Sequence, residues 1–314
     1  MKCTFLILIA LFFSRFSVAG VQPIYFTEEV FKLANKAIYH TGDPFQGIVN
    51  NLDFSIDTSN PMPGASSGWV NNVPTIVFTS SLLNVVFYTA EMAVLVMANS
   101  KWSNCYTDYS GYLRSAYMDM MMQMENHQPV SPLIPPERYG NSCEGIDKHY
   151  PFSGREKAIR DQNAANAITF IYLHELSHLY YRHVNFKTKK MNDEERRVAN
   201  CTMRTQEKEA DLLAVRKMVK FGWYNSAMDI TVWSVMFNTG ILETSRNSDL
   251  DHPTALERMS YTLDEARGAI IEAGGHISRE MSEGIDEAKA LLKKADEQLG
   301  QGDNIPSEVL RCDN

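Results

Sequence analysis

No run of basic residues in this chain is longer than "KTKK", Lys187 to Lys190. With a formal net charge of −8 and a pI of about 5.5, the chain lacks the electropositive field that nucleic acid or an anionic membrane surface requires. Cysteine is scarce as well: the five present follow no zinc-finger spacing, which excludes a small cysteine-ligated module. There is no internal repeat, so a helical-repeat partner module is excluded. Multiple membrane spans are missing too. The apolar stretch from Ser80 to Ala98 is interrupted by Asn84 and Glu91, and burial in a soluble core explains it better than a bilayer does.

What is present reads as an exported globular chain. Its 314 residues are 44% hydrophobic and 22% charged, ample to bury a core. Lys2 is followed by the short apolar run "FLILIALFF" (Phe5 to Phe13) and then by Ser17-Val18-Ala19, small residues at the −3 and −1 positions of a cleavage site before Gly20. Residues 1–19 are therefore expected to be a signal peptide that leads to the periplasm or the exterior, with no integral membrane segment in the mature chain. An uncleaved anchor is the competing reading, since Arg15 closely follows the apolar run. Cys3 precedes that run and so cannot carry a lipoprotein's lipid. Cys105, Cys143, Cys201 and Cys312 remain after cleavage, an even count that permits two disulfides. Cys105–Cys143 is the favoured pair because both flank one irregular segment.

Along the chain, residues 24–40 are expected to form a helix with Thr27 as N-cap and Glu28 and Glu29 in its first turn. Residues 42–72 read as loop with a short strand at "LDFSI". "VPTIVFT" (Val73 to Thr79) suits an edge or first strand because of Pro74, and Ser80 to Ala98 follows as a buried helix. Residues 101–153, with five prolines and five clustered methionines, look like an insertion, with a lid over a site among its expected roles. The methionines are expected to pack into a core. His127 and His149, in the same segment, read as surface histidines. Helices are then expected over 155–183, from about Thr205 to Phe221 with Gly222 at C′, and over 225–238, 254–272 and 279–299. The domain plan is a signal peptide at 1–19, one domain over 20–275 and a helical tail over 276–314.

The chemistry lies in "FIYLHELSHLYYRH", Phe170 to His183. Within it, "HELSH" spaces His174 and His178 by four, which on a helix sets both imidazoles on one face for a single zinc ion. Glu175, about 100° around the helix, borders that ion and is placed to take a proton from a water that the metal activates. Leu176 falls on the core side, and Ser177 is small enough for close helix contact. HExxH alone arises by chance in about one chain in a hundred. Its company matters more: "EKEAD" (Glu207 to Asp211) follows with 28 residues between His178 and Glu207, and Glu207 and Asp211 share one helix face. One of these carboxylates can complete a His₂Glu site while the other accepts the free N–H of a ligating histidine. Glu209 points elsewhere, towards solvent.

These motifs, with "DHPTALERM" (Asp251 to Met259), resemble the HtpX and CAAX-prenyl-protease type of zinc peptidase, family M-48, over about residues 70–265. "PTIVFTSSLL" (Pro74 to Leu83) resembles the strand and helix start before that family's zinc helix. The resemblance implies one Zn²⁺ per chain on His174, His178 and Glu207, with Glu175 as base and Asp211 behind a ligand histidine. It implies that Arg258 pairs with an acidic residue to hold a loop. His252 is either a group on the reaction path, as a transient ligand or oxyanion stabiliser, or a loop anchor. His183 rotates off the metal face and reads as a helix C-terminal histidine favoured by the macrodipole. The implied fold is an α-rich α+β zincin-like domain with a small sheet beside the HExxH helix, acting as an endopeptidase on exported or misfolded polypeptides. Alternatives are a zinc-dependent chaperone or binding protein with the 101–153 segment capping the cleft, or a pseudoenzyme with structural zinc. The Lit-like phage-exclusion peptidases are the weaker match, since an export signal fits them poorly.

Overall fold

A computed structural model describes residues 23–184, 191–224, 253 and 255–300. The expected signal peptide, the helix expected at 225–238, Cys312 and His252 lie outside these residues. The described chain is α-rich α+β. Helices α1 (Pro23–His40), α2 (Gln46–Val49), α3 (Ser80–Ala98), α4 (Ser103–Glu125), α5 (Gly154–Tyr181), α6 (Asp193–Lys220), α7 (Ala255–Glu272) and α8 (Arg279–Gly300) accompany one small sheet of β1 (Asp53–Asp57), β2 (Ala65–Val70) and β3 (Val73–Thr79).

The sheet order is β1-β3-β2, with β1 parallel and β2 antiparallel to β3. β3 is therefore central, not an edge strand. Pro74 is tolerated because the β1 ladder begins one residue later, at Asp53 opposite Thr75, so the missing N–H breaks no bond there. Asn71 and Asn72 both take left-handed backbone, φ 51° and 66°, which is the conformation of a two-residue type I′ hairpin. That turn makes β2 out of a segment expected to be loop.

Thr79 joins the sheet to α3. Its hydroxyl oxygen accepts the Leu82 N–H at 3.2 Å as N-cap and the Gly64 N–H at 3.0 Å, fixing where β2 begins. α3 is long and apolar enough to cross a membrane, yet 72% of its most apolar window is buried in the fold, as in a core helix. Phe31 of α1 packs edge-on to Phe78 of β3 (centroids 5.3 Å apart) and against Tyr172 of α5 (4.5 Å), whose hydroxyl donates to Asn35. These contacts fix the rotation of α5 about its axis.

Three local expectations change. Thr27 lies inside α1, buried, with its hydroxyl donating back to the Pro23 carbonyl, so Glu28 and Glu29 are not in the first turn. α6 begins twelve residues before Thr205, because Asn192 and Glu195 form a reciprocal capping box that opens the helix in a charged stretch. α6 ends as expected, with Gly222 in left-handed backbone. Residues 103–125 form a regular helix whose methionines do not fill a core: Met118, Met122 and Met124 are exposed, and only Met120 of the five is fully buried. Cys105 and Cys143 are bridged, tying α4 to the segment that follows.

Candidate metal centre

α5 turns its apolar side inward: Phe170, Leu173 and Leu176 are fully buried, and Ser177 is closed against its own helix by a hydroxyl bond to the Leu173 carbonyl. His174 and His178 follow Phe170 at four-residue intervals along one side of the helix, turned away from Leu176, with their Nε2 atoms 3.0 Å apart. Glu207 of α6 reaches both, Oε2 lying 3.3 Å from His174 Nε2 and Oε1 3.3 Å from His178 Nε2. Four-coordinate zinc with metal–ligand distances near 2.0–2.1 Å separates its donors by about 3.3 Å. The three side chains thus form a donor cluster that fits such an ion in spacing and chemistry.

Behind the cluster, His174 Nδ1 donates to Asp211 Oδ1 at 2.9 Å, which leaves its Nε2 lone pair free for a cation. Asp211 is wholly buried and also accepts two bonds from Arg258, at 2.6 and 2.8 Å, and one from the Tyr261 hydroxyl at 2.6 Å. Burial opposes ionisation of Asp211, but Arg258 and His174 outweigh it and hold the carboxyl well below its usual range. Burial likewise works against the charged form of His174, and Asp211 and Glu207 overturn that and raise it. The site carries a negative field that a cation would answer. Arg258 pairs with Asp211 and lies 3.8 Å from Glu207, so it holds the donor set rather than a loop alone.

Two residues expected to be passive take part. His183 Nδ1 lies 2.9 Å from His178 Nδ1, and His183 Nε2 lies 3.2 Å from Glu209 Oε2. The chain reverses after α5 through left-handed Arg182 (φ 55°), and this brings His183 back over α6, where Glu209 meets it. Neither the dipole reading of His183 nor the solvated reading of Glu209 describes these contacts. Burial, together with the neighbouring His178, lowers the His183 pKa and favours the neutral ring. Gln206 clips the same turn, its amide donating to the Val184 carbonyl at 3.0 Å and accepting from the Val184 N–H at 3.2 Å.

A cleft of about 380 Å³ opens over the cluster, walled on one side by residues 63–69 and on the other by Met203, Gln206, Glu207 and Arg258. Glu175 lines it and has no hydrogen-bonding or ionic partner among the described residues. No residue of 101–153 lines this cleft, so the described part of that segment forms no lid. The strand beside the cleft is β2, not β3. Since Thr79 donates its N–H to the Gly64 carbonyl, the ladder alternation turns the backbone N–H and C=O of Ala65, Ser67 and Trp69 to the free edge. The small residues of β2, "ASSG", obscured it as a strand, and only the paired asparagines of its turn signalled it.

The family model described as Peptidase U49 matches residues 116–273, half of the chain, from within α4 to just past α7. That model is not the HtpX and prenyl-protease type that the motifs resemble. No curated protein and no solved structure matches the chain.

Proposed function

The chain belongs to the Peptidase U49 family, and from the site it carries we propose that it is a zinc-dependent endopeptidase of zincin-like design, held by His174, His178 and Glu207. The observation that supports this reading best is the spacing of the three donors, 3.0, 3.3 and 3.3 Å, beside a carboxylate, Glu175, that lines the cleft with no partner among the described residues. The likeness of the motifs to HtpX-type peptidases supports the same roles.

Zinc, when bound, supplies Lewis acidity for the scissile carbonyl and for water. The rest falls to the chain. The edge of β2 offers an extended polypeptide the N–H and C=O groups of Ser67 and Trp69, unpaired among the described residues, aligning it along the cleft. Glu175 accepts a proton from the attacking water and passes it to the leaving amine, a transfer suited to a carboxylate with no competing partner among the described residues. Asp211 and Arg258 keep His174 and Glu207 in place throughout. His252 is proposed as a further group on the reaction path, and exported or misfolded polypeptides as substrates, in the periplasm or outside the cell. A cleft capped by residues 101–153 finds no support in the lining.

The test combines zinc content with cleavage of an unfolded protein such as casein, for the purified chain and Glu175→Gln. One zinc in both, with a cleavage rate at least about a thousandfold lower in the variant, is the expected result. Equal cleavage by both would remove Glu175 from the reaction, and absence of zinc from both would sink the metallopeptidase reading.

A further inference from the structure

We propose that His183 and Glu209 form a positioning pair for His178, a second orienting arm of the metal centre opposite the one Asp211 supplies to His174. The proposal rests on the metal-centre reading above and extends it to residues outside the HExxH and ExxxD motifs.

The argument starts from hydrogen-bond bookkeeping. A histidine binds a metal through a bare ring nitrogen, and the other nitrogen's partner decides which nitrogen is bare. His178 Nε2 faces the donor cluster, so Nδ1 must carry the proton and needs an acceptor. Among the described residues, the acceptor placed for that is His183 Nδ1, 2.9 Å away. His183 must then offer Nδ1 as a lone pair and carry its own proton on Nε2, and Glu209 accepts that proton's hydrogen bond at 3.2 Å. One chain of donors satisfies all three groups: His178 Nδ1–H to His183, then His183 Nε2–H to Glu209. The opposite polarity would turn a protonated His178 Nε2 towards His174 and leave no second lone pair for a metal.

The turn that carries His183 is held from several sides. Its N–H donates to the His178 carbonyl at 3.1 Å, and its ring stacks on Tyr181 with an 18° interplanar angle. Gln206 clips the Val184 backbone, and Arg182 lies over the Trp69 ring at 4.6 Å. The His183 side chain is 8% exposed although it follows the end of its helix. A histidine placed only for the helix dipole would not have both ring nitrogens committed.

The test measures zinc affinity by chelator competition in the full chain, beside the melting temperature of the metal-free protein. His183→Phe keeps the ring shape and removes the acceptor. It is expected to weaken zinc binding roughly ten- to a hundredfold, with a metal-free melting temperature within about 2 °C of the unmodified chain. His183→Asn restores an oxygen acceptor near the Nδ1 position, and affinity should recover to within about threefold. Nitrogen-15 NMR of the zinc-loaded chain should show His178 protonated on Nδ1. Unchanged affinity in His183→Phe, no recovery in His183→Asn, or a proton on His178 Nε2 would each overturn the proposal. Should His183→Phe fail to fold, Glu209→Ala at its half-exposed position serves instead: a loss of roughly three- to tenfold is expected, and no loss overturns the pair. If the unmodified chain itself binds no zinc, the metal centre falls, and this pair with it.

Discussion

Asp211 is the most heavily committed side chain near the cluster, with its two oxygens shared among His174, Arg258 and Tyr261. Asp211→Asn is nearly isosteric but leaves the buried Arg258 guanidinium with only the more distant Glu207 carboxylate, 3.8 Å away, as counter-charge. Stripping one partner from a buried pair costs roughly 3–5 kcal/mol, which for a chain of this size lowers the melting temperature by about 5–8 °C. Calorimetry of the metal-free variant checks this, and a shift under about 2 °C would show that Arg258 finds another partner. At this scale much was legible in the sequence. His174, Glu175, His178, Glu207 and Asp211 stand at spacings that local helical geometry converts directly into shared faces. His183 and Glu209 were not, because their meeting depends on the left-handed backbone at Arg182, which no spacing rule reveals.

Among the elements, the two that read most clearly were β3 and α3, whose apolar and β-branched residues leave few alternatives. β2 was hidden by small polar residues, and the start of α6 by a charged stretch without apolar periodicity; α4, rich in tyrosine and methionine, passed for irregular chain. β2 and α6 are each fixed by something local that periodicity does not measure, an Asn-Asn turn and a capping box, and a disulfide of sequence separation 38 ties α4 to the segment after it. Thr79 shows how such a detail reaches the cleft. Thr79→Val removes the acceptor for two N–H groups, at Leu82 and Gly64. The expected loss is roughly 2 kcal/mol, and amide exchange at Gly64 and Ser66 should quicken by about tenfold or more as the start of β2 frays. Thr79→Ser should restore both, and unchanged exchange in the valine variant would show that the strand is held by other contacts.

Across the whole molecule, a second polar cluster sits away from the cleft where α3, α5 and the segment after α4 meet. Glu91 there accepts from the Tyr150 hydroxyl at 3.2 Å and lies 3.6 Å from Arg160. Burial lifts its pKa from 4.5 to about 7, with Arg160 only partly opposing. A folded-state pKa above the unfolded one means that the native chain holds the proton more tightly. The resulting stability is complete below pH 4.5 and is lost as pH rises to about 7. The loss is on the order of 3 kcal/mol. Glu91→Gln should therefore gain melting temperature over the unmodified chain between pH 5 and pH 8, and parallel curves would show Glu91 to be ionised throughout.

The donors of the metal cluster are divided between α5 and α6, with 28 residues between His178 and Glu207. Before those helices dock, the chain holds only two imidazoles on one helix, without the carboxylate or the buried Asp211–Arg258 support. A growing or unfolded chain then has no complete donor set, and on the proposed reading no hydrolytic centre to turn on its neighbours. On the proposed reading the division works as a timer, since the donor set is complete only in the finished tertiary structure.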